Sequence, residues 1–449
     1  MNPDKRLYIR TFGCQMNEHD SAKIRNMLAP YGYSSADKPE DADLILFNTC
    51  TIREKAHHKA MSEIGRALAY KKKRPGLLIG VCGCVAQEEK EAIFERYSHV
   101  DLIFGPDQIH RLPELINDAK TSGRSSALEL VDDPSKYVFL GLKSQVSGLK
   151  FQVSSFVSIM KGCNCACSYC IVPSVRGREV CRAEDEIIRE INVLATSGTK
   201  EVVLLGQNVS AYKGHGSWVK GQGLFSNLLR RVSDETPVER IRFVSPHPRD
   251  VGEDLIREYA ENKKLMPHIH LPVQAGNNDI LRKMRRGYTR ERYIEICDAL
   301  KKTNPGFSIT TDLIVGFCGE TRGQFEETLD LMRRVKFDSC FAFKYSPRPG
   351  TEAFKKFPDD VPLSEKEERL EKLLSLQREM SFASNEALIG SSVSVLAAEF
   401  DKMNRGMITG RLPDNRVAHF PGKEGHIGNI IQLRIVGAYA NSLKGEIEK

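Results

Sequence analysis

Three cysteines in one short run have the spacing of an iron ligand set. Cys163, Cys167 and Cys170, called here the central trio, form the pattern C-x3-C-x2-C. Three thiolates can hold three irons of a [4Fe–4S] cube and leave the fourth iron without a protein ligand. An open iron on a reducing cluster is a place where a small cofactor can bind and be cleaved. We therefore expect redox chemistry at this run.

Other uses of cysteine fit the run less well. Disulfides need an oxidising compartment, and the N-terminus leads into a strand-like segment without a secretory signal. A structural zinc site usually needs four ligands in two pairs, and no second C-x2-C follows nearby. Cys165 lies inside the run but outside its spacing, and we interpret it as a bystander. We expect iron in a reducing, cytoplasmic setting.

The composition is that of an ordinary soluble protein. The chain has 449 residues, of which 41% are hydrophobic and 28% charged, enough for two to four domains. No apolar run approaches the roughly 18 residues of a membrane helix, so we expect no membrane partner. The net charge of +7 is compatible with a nucleic-acid partner but does not establish one.

Three strand-like segments near the N-terminus each end at a further cysteine. They cover residues 6–14, 43–50 and 76–84, and helical patterns follow them at 17–28, 53–70 and 87–97. Strand–helix alternation predicts a Rossmann-like parallel sheet, here over residues 5–122. The carboxyl ends of parallel strands share one edge of the sheet, where ligands bind. We therefore expect Cys14, Cys50 and Cys84, called here the N-terminal trio, to converge.

Three converging thiols suggest a second iron–sulfur site with three ligands. The alternative is that cysteine, a small hydrophobic residue, simply packs at the strand ends. Cys82 lies two residues before Cys84 and therefore on the same face of the strand. We favour Cys84 as the ligand because it follows the Gly83 turn and precedes the next helix.

The alternation restarts after a linker at residues 123–150. The predicted strands are 155–160, 201–205, 240–244, 268–273, 309–315 and 340–345. Six such units predict a partial (β/α)6 barrel over residues 151–382, with functional groups in the loops after the strands. The central trio follows the first of these strands, in agreement with that rule.

Polar residues after the other strands are candidates for binding a cofactor or substrate. They are Gln207, Asn208, Ser245 and Gln274, although turns also favour such residues. His247 lies between prolines, where a stiff turn explains it equally well. Arg176 and Arg178 follow the central trio and are predicted to contact phosphates. A second basic group, residues 282–290 with Arg286, fits a solvated helix face equally well.

The last part of the chain predicts a small β module. A charged amphipathic helix at residues 363–380 precedes short apolar segments at 391–397, 405–409, 416–420 and 430–436. Glycine-broken segments of this length predict a small OB-like β-barrel over residues 383–449. RNA binding there would depend on a local face with Arg411 and Arg416, and a purely structural cap is the alternative.

Several motifs resemble those of a known family. Segments 11–17, 48–56 and 83–87, each around one cysteine of the N-terminal trio, resemble the three cysteine motifs of the radical S-adenosylmethionine (SAM) methylthiotransferases. Segments 407–411 and 415–422 resemble the TRAM domain, an RNA-binding module. The resemblance implies two [4Fe–4S] clusters, one on the central trio with SAM on its open iron. The other, on the N-terminal trio, would hold the sulfur to be inserted.

The resemblance also implies a reaction and a substrate. Sulfur insertion into an unactivated C–H bond needs a radical, because the proton is too weakly acidic for acid–base catalysis. Segments 51–56, 205–212 and 346–351 resemble the branch that converts N6-(dimethylallyl)adenosine, 3′ of the tRNA anticodon, to its 2-methylthio form. Cys181, Cys318 and segment 173–177 depart from the usual pattern of that branch.

Two other readings stay open at this point. Related branches act on threonylcarbamoyl-adenosine in tRNA or on an aspartate of a ribosomal protein. A protein of another class would bind RNA and use its clusters structurally or as redox sensors. The lead hypothesis further implies a flavodoxin- or ferredoxin-like electron donor, a sulfur donor and a monomeric enzyme.

Overall fold

The computed structural model describes residues 5–52, 54–133, 136–139, 152–214, 224–401, 403–404 and 406–448. The start of the predicted helix at Arg53, the start of the predicted strand at Arg405, and residues 140–150 of the predicted linker lie outside these ranges. Within the described residues, no helix is both long enough and apolar enough to cross a membrane.

The N-terminal unit is a six-stranded sheet in which all neighbouring strands run parallel, in the order β2-β1-β3-β4-β5-β6. Its central strands β3 and β4 are buried along their whole length, which explains their continuous apolar sequences. The strands are β1 Lys5–Thr11, β2 Tyr33–Ser35, β3 Leu44–Thr49, β4 Leu78–Gly83, β5 Leu102–Phe104 and β6 Ser125–Ala127.

The sequence predicted only β1, β3 and β4 of this sheet. The three missed strands have three residues each, too few to show periodicity. Because β6 pairs with β5, the first unit extends beyond residue 122, and the predicted linker at 123–150 is corrected accordingly.

Helices flank this sheet as the alternation predicted. They are α1 Gln15–Leu28, α2 Glu54–Arg66, α3 Leu68–Lys73, α4 Cys84–Glu89, α5 Ala92–Arg96 and α6 Leu112–Ser122. The predicted helix at 53–70 is divided at Ala67 into α2 and α3. The one at 87–97 is divided into α4 and α5 because Lys90 adopts a positive φ of 52°.

The middle unit contains the six strands of a partial barrel. Two parallel three-stranded sheets, β11-β10-β7 and β12-β13-β14, are joined by a single bridge between Ile241 and Leu265. β12 ends at His270 instead of the predicted Val273, since Pro272 cannot donate to a neighbouring strand. The barrel strands are β7 Ser154–Ser158, β10 Glu201–Leu205, β11 Arg240–Phe243, β12 His268–His270, β13 Ser308–Val315 and β14 Ser339–Lys344, and β8 Met160–Lys161 and β9 Val180–Cys181 form a separate antiparallel pair.

Helices cover the outside of the partial barrel, and their apolar faces share one core with the strands, including Val157, Leu204, Ile241 and Leu313. They are α7 Val172–Arg176, α8 Glu184–Thr196, α9 Leu224–Glu235, α10 Glu253–Glu261, α11 Asn278–Lys283, α12 Arg290–Thr303, α13 Arg322–Val335, α14 Glu352–Lys356 and α15 Leu363–Glu386. The predicted boundary between residues 382 and 383 falls inside α15.

The C-terminal unit is a closed five-stranded barrel with the order β15-β16-β17-β19-β18. Its strands are β15 Ser392–Phe400, β16 Met407–Arg411, β17 Val417–Pro421, β18 Ile430–Ala438 and β19 Leu443–Ile447. Side chains of Arg240 and Arg242 on β11 donate to the carbonyls of Arg411 (2.7 Å) and Leu412 (2.8 Å). The small barrel therefore closes the end of the partial barrel at which the strands begin.

Candidate functional site

One cavity of about 700 Å³ is lined by both cysteine trios. It lies where the strand ends of the first two units face each other, and it continues along the partial barrel to Arg411 and Arg416 of the C-terminal unit. The two cysteine trios, which are about 80 residues or more apart in sequence, thus line the same cavity.

The N-terminal trio is set by the turns that follow β1, β3 and β4. Cys14 caps the start of α1, and Cys84 opens α4. Gly13 has φ of 121°, and a Cβ there would lie 2.3 Å from the Cβ of Cys50. Only glycine allows this approach of Cys14 and Cys50.

Amide side chains hold these turns together. Asn17 donates to the side-chain oxygen of Asn48 (3.0 Å) and to the carbonyl of Thr49 (2.9 Å), and Asn48 donates back to the carbonyl of Asn17 (2.8 Å). The thiol of Cys14 donates to Asn17 as well (3.2 Å). The cysteine turns of β1 and β3 are therefore one hydrogen-bonded unit.

The electrostatics of the N-terminal trio favour a thiolate. A hydrogen bond from Cys50, assisted by the charge of Arg176, lowers the pKa of Cys14 to about 6 despite burial. The same hydrogen bond raises the pKa of Cys50, and burial raises that of Cys84. A thiolate is the form of cysteine that binds metals.

The central trio lies in the loop between β8 and α7. Gly162 has φ of 72°, and a Cβ there would lie 1.9 Å from the carbonyl oxygen of Arg178. The amide of Cys163 donates to the carbonyl of Gly177 (3.1 Å), which closes the loop. Burial raises the pKa of Cys170 to about 12.

Two side chains from the partial barrel reach Cys167. Arg286, only 4% exposed, donates from Nη1 to its Sγ at 3.2 Å. The Nε2 atom of His247 lies 4.0 Å from the same sulfur, and burial lowers the pKa of His247 to about 3. His247 also forms a turn, since its Nδ1 accepts from the amide of Arg249 (3.2 Å). The sequence did not assign Arg286 to the site.

Each trio supplies three thiols, the donor set that can hold three irons of a [4Fe–4S] cube. Within the described ranges, no three His, Cys, Asp or Glu side chains are grouped so that they could hold one ion. The thiols of both trios lie on the wall of one cavity.

The residues predicted near the cofactor all line the cavity. Ser245 and Gln274 have positive φ values of 59° and 77°. Such strain in residues other than glycine is typical of ligand sites. The Oε1 atom of Gln207 is buried without a hydrogen-bond partner among the described residues. Asn208 is already engaged, because its amide donates to Asp250 (2.7 Å) and its oxygen accepts from the His247 amide (3.1 Å).

The four arginines predicted to contact RNA occupy two kinds of position. Arg178 and Arg411 are exposed. Arg176 is 5% exposed and contacts Cys84 and Asp20, and Arg416 pairs with Asp338 (2.6 Å) and Asp414. Because their guanidinium groups pair with carboxylates of a neighbouring structural unit, Arg176 and Arg416 are corrected to internal contacts between units.

The extra cysteines have separate places. The Cys165 thiol lines the cavity, with Asn208 Nδ2 at 3.5 Å and Arg249 Nη2 at 3.6 Å from its sulfur. Cys82 packs in the apolar core of the N-terminal sheet, and Cys318 packs among buried residues below the strand ends. Cys181 accepts a hydrogen bond from the amide of Lys213 (3.5 Å). Of these four, only Cys165 lines the cavity.

Family models match three consecutive parts of the chain. Residues 6–105 match the "Uncharacterized protein family UPF0004", residues 157–332 the radical SAM superfamily, and residues 386–447 the TRAM domain. These ranges correspond to the parallel sheet, most of the partial barrel and the small closed barrel. The radical SAM match implies SAM and a [4Fe–4S] cluster as cofactors.

Solved structures share the fold at low sequence identity. The radical SAM methyltransferase TsrM from Kitasatospora setae has a TM-score of 0.55 at 13% identity, over 79% of this chain and 77% of that chain. The cobalamin-dependent radical enzyme OxsB has a TM-score of 0.52 at 13% identity, over 84% and 56%. These likenesses support the fold alone.

Curated relatives match over the full length. The tRNA-2-methylthio-N(6)-dimethylallyladenosine synthase of Trichlorobacter lovleyi is 43% identical over 99% of both chains. The enzymes of the same name from Chromobacterium violaceum (44%, 98% of both chains) and Geobacter sulfurreducens (42%, 100% and 98%) are similar to the same degree. The chain belongs to the radical SAM methylthiotransferase family.

Proposed function

We propose that the chain converts N6-(dimethylallyl)adenosine, 3′ of the anticodon in tRNA, to 2-methylthio-N6-(dimethylallyl)adenosine. The observation that carries this proposal is the single cavity lined by both trios, in a chain whose full-length relatives bear the name of that activity. A substrate carbon in that cavity would lie within reach of both cofactor sites.

The central trio holds the cluster that binds SAM. A cluster held there would supply the electron for reductive cleavage of SAM, the source of a radical able to remove hydrogen from an unactivated carbon. The protein's own part is positioning. Gln207, Ser245 and Gln274 line the cavity, and the unpartnered Oε1 of Gln207 is available to accept a hydrogen bond from SAM. Asn208 acts indirectly, by holding His247 and Asp250 in place.

The N-terminal trio would hold a second [4Fe–4S] cluster that supplies the sulfur to be inserted, and a second SAM would supply the methyl group. A thiolate at Cys14, stabilised by Cys50 and Arg176, supports this ligand role.

The partners follow from this chemistry. The tRNA contacts the exposed Arg178 of the middle unit and the exposed Arg411 of the C-terminal unit. A flavodoxin- or ferredoxin-like protein delivers the electron, and a sulfur donor restores the second cluster after turnover. The enzyme acts as a cytoplasmic monomer.

Mass spectrometry of tRNA nucleosides tests the activity. Cells that lack the gene should accumulate N6-(dimethylallyl)adenosine and lose its 2-methylthio form, and the gene should restore it. Loss of the 2-methylthio threonylcarbamoyl nucleoside, or of a methylthio group on a ribosomal protein, would assign a different substrate. Unchanged levels of all three methylthio products would refute the enzymatic activity and would favour the alternative of an RNA-binding protein.

A further inference from the structure

Arg176 connects the two cysteine sites. It is the last residue of α7, the short helix that begins just after Cys170 of the central trio. Its Nε atom donates to the sulfur of Cys84 at 3.3 Å, and its Nη1 atom pairs with Asp20 of α1 at 2.9 Å. Arg176 belongs to the middle unit, but its guanidinium group therefore contacts residues of the N-terminal unit.

Packing fixes this position from both sides. Ile171 and Val175 of the α7 segment form a buried apolar cluster with Cys84. The residue after α7, Gly177, accepts a hydrogen bond from the amide of Cys163 (3.1 Å). One helical turn thus touches ligands of both trios, and its end cannot shift without moving one of them.

The charges around Arg176 show why its contact with sulfur matters. Asp20 also pairs with the buried Lys23 (3.8 Å), so one carboxylate is shared between two buried cations. A buried charge without full compensation is costly. Arg176 therefore carries positive charge that Asp20 does not fully balance, and its second contact is the sulfur of Cys84 at 3.3 Å.

We propose that Arg176 is a positioning residue that holds the Cys84 sulfur in place as a cluster ligand and raises the reduction potential of the cluster on the N-terminal trio. The inference rests on the proposed function, which places a cluster there. Net charge and hydrogen bonds to the ligand sulfurs are among the factors that set such potentials. A buried guanidinium that donates to a ligand sulfur supplies a positive charge and a hydrogen bond. Each of these stabilises the reduced, more negative cluster, and therefore raises the reduction potential.

The test isolates the N-terminal cluster. The parent protein is the full chain with Cys163→Ala, Cys167→Ala and Cys170→Ala, reconstituted anaerobically and titrated against potential with detection by electron paramagnetic resonance. Arg176→Met should lower the midpoint potential. Asp20→Asn should raise it, because the positive charge is then less compensated. Arg189→Met, which removes an exposed arginine on α8, should leave it unchanged.

The outcomes separate this inference from the proposed function. A parent protein without iron would refute the second cluster itself. If the parent protein holds iron and the Arg176→Met variant has the same midpoint potential, the role of Arg176 is overturned while the second cluster stands. If Arg176→Met takes up no iron, Arg176→Lys is measured in its place. The lysine keeps the positive charge but lacks the planar guanidinium group that contacts both Cys84 and Asp20. The potential of Arg176→Lys should still fall below that of the parent, and an equal potential would overturn the proposal.

Discussion

Two buried arginines each donate to the thiol of one trio. Arg176 lies 3.3 Å from the sulfur of Cys84, and Arg286 lies 3.2 Å from that of Cys167. A buried guanidinium needs anionic or polar partners, and a thiolate bound to iron provides one. The side chains next to the ligands therefore prepare both sites for negatively charged sulfur.

The choice between Cys82 and Cys84 is testable at this scale. Cys84 lines the cavity, whereas Cys82 packs in the sheet core. After anaerobic reconstitution we expect about eight irons per wild-type chain, from two four-iron clusters. Cys84→Ala should reduce the count to about four, and the matched variant Cys82→Ala should keep about eight. The opposite pattern would make Cys82 the ligand.

His19 predicts a loss of stability in acid. Burial, with the nearby charge of Lys23, holds its pKa well below 6.5, and its Nδ1 atom has no hydrogen-bond partner in the described part of the chain. The unfolded chain binds a proton below pH 6.5 and the folded chain does not, so the free energy of unfolding falls as pH falls. Between pH 6.5 and 5.5 this histidine should account for about 1 kcal/mol of that loss.

Urea unfolding of the metal-free chain at the two pH values measures the effect. His19→Gln should make the stability less sensitive to acid than in wild type, whatever its stability at pH 6.5. His58→Gln, which replaces an exposed histidine on α2, should keep the wild-type dependence. An unchanged acid dependence in His19→Gln would show that His19 does not stay neutral in the fold.

At the scale of elements, the turns between strands and helices position the N-terminal trio. The turn after β1 brings Gly13 so close to Cys50 that a side chain at residue 13 would collide with it. The asparagines at 17 and 48 then bind this turn to the end of β3. The geometry of the site is therefore a property of the strand–turn–helix units and not of the cysteines alone.

Gly13→Ala should disrupt one site and spare the other. Its Cβ would meet the Cβ of Cys50, which is part of a buried loop and cannot rotate away. We expect iron to fall to about four per chain, with SAM cleavage retained at the central trio. Gly32→Ala is the control, since its φ is also positive (81°) but no atom lies within 4 Å of the added Cβ. It should cost about 1 to 2 kcal/mol of backbone strain and keep all the iron.

The sequence predicted elements better than it predicted their contacts. Cys14, Cys50 and Cys84 could be expected to converge because parallel strands end at one edge of a sheet. The roles of Arg176 and Arg286 could not be predicted, because their burial depends on how separate parts of the chain pack together. A positive charge near a cysteine motif looks the same in sequence whether it faces solvent or a thiol.

At the scale of the whole molecule, the C-terminal unit is fixed to the partial barrel by arginines. Arg242 donates to the carbonyls of Leu412 and Pro413 (2.8 and 3.0 Å), and Arg416 pairs with Asp338 (2.6 Å). These contacts hold the predicted RNA-binding module at a set distance from both trios.

Salt dependence of tRNA binding separates surface from internal arginines. Arg178→Gln should reduce the slope of log K against log salt by about 0.7 to 0.9, the value of one phosphate contact. Arg416→Gln should leave the slope unchanged and lower the unfolding temperature by a few degrees, since it removes an internal ion pair. A reduced slope for Arg416→Gln with no change for Arg178→Gln would reverse this assignment.

The central claim is a division of labour between the trios. It is tested most directly by quantifying 5′-deoxyadenosine and the 2-methylthio nucleoside in reactions with SAM, reductant and dimethylallyl-modified tRNA. Replacing Cys14, Cys50 and Cys84 by alanine should retain 5′-deoxyadenosine formation and abolish the methylthio product. Replacing Cys163, Cys167 and Cys170 should abolish both. Formation of the methylthio product by either triple variant would contradict the account.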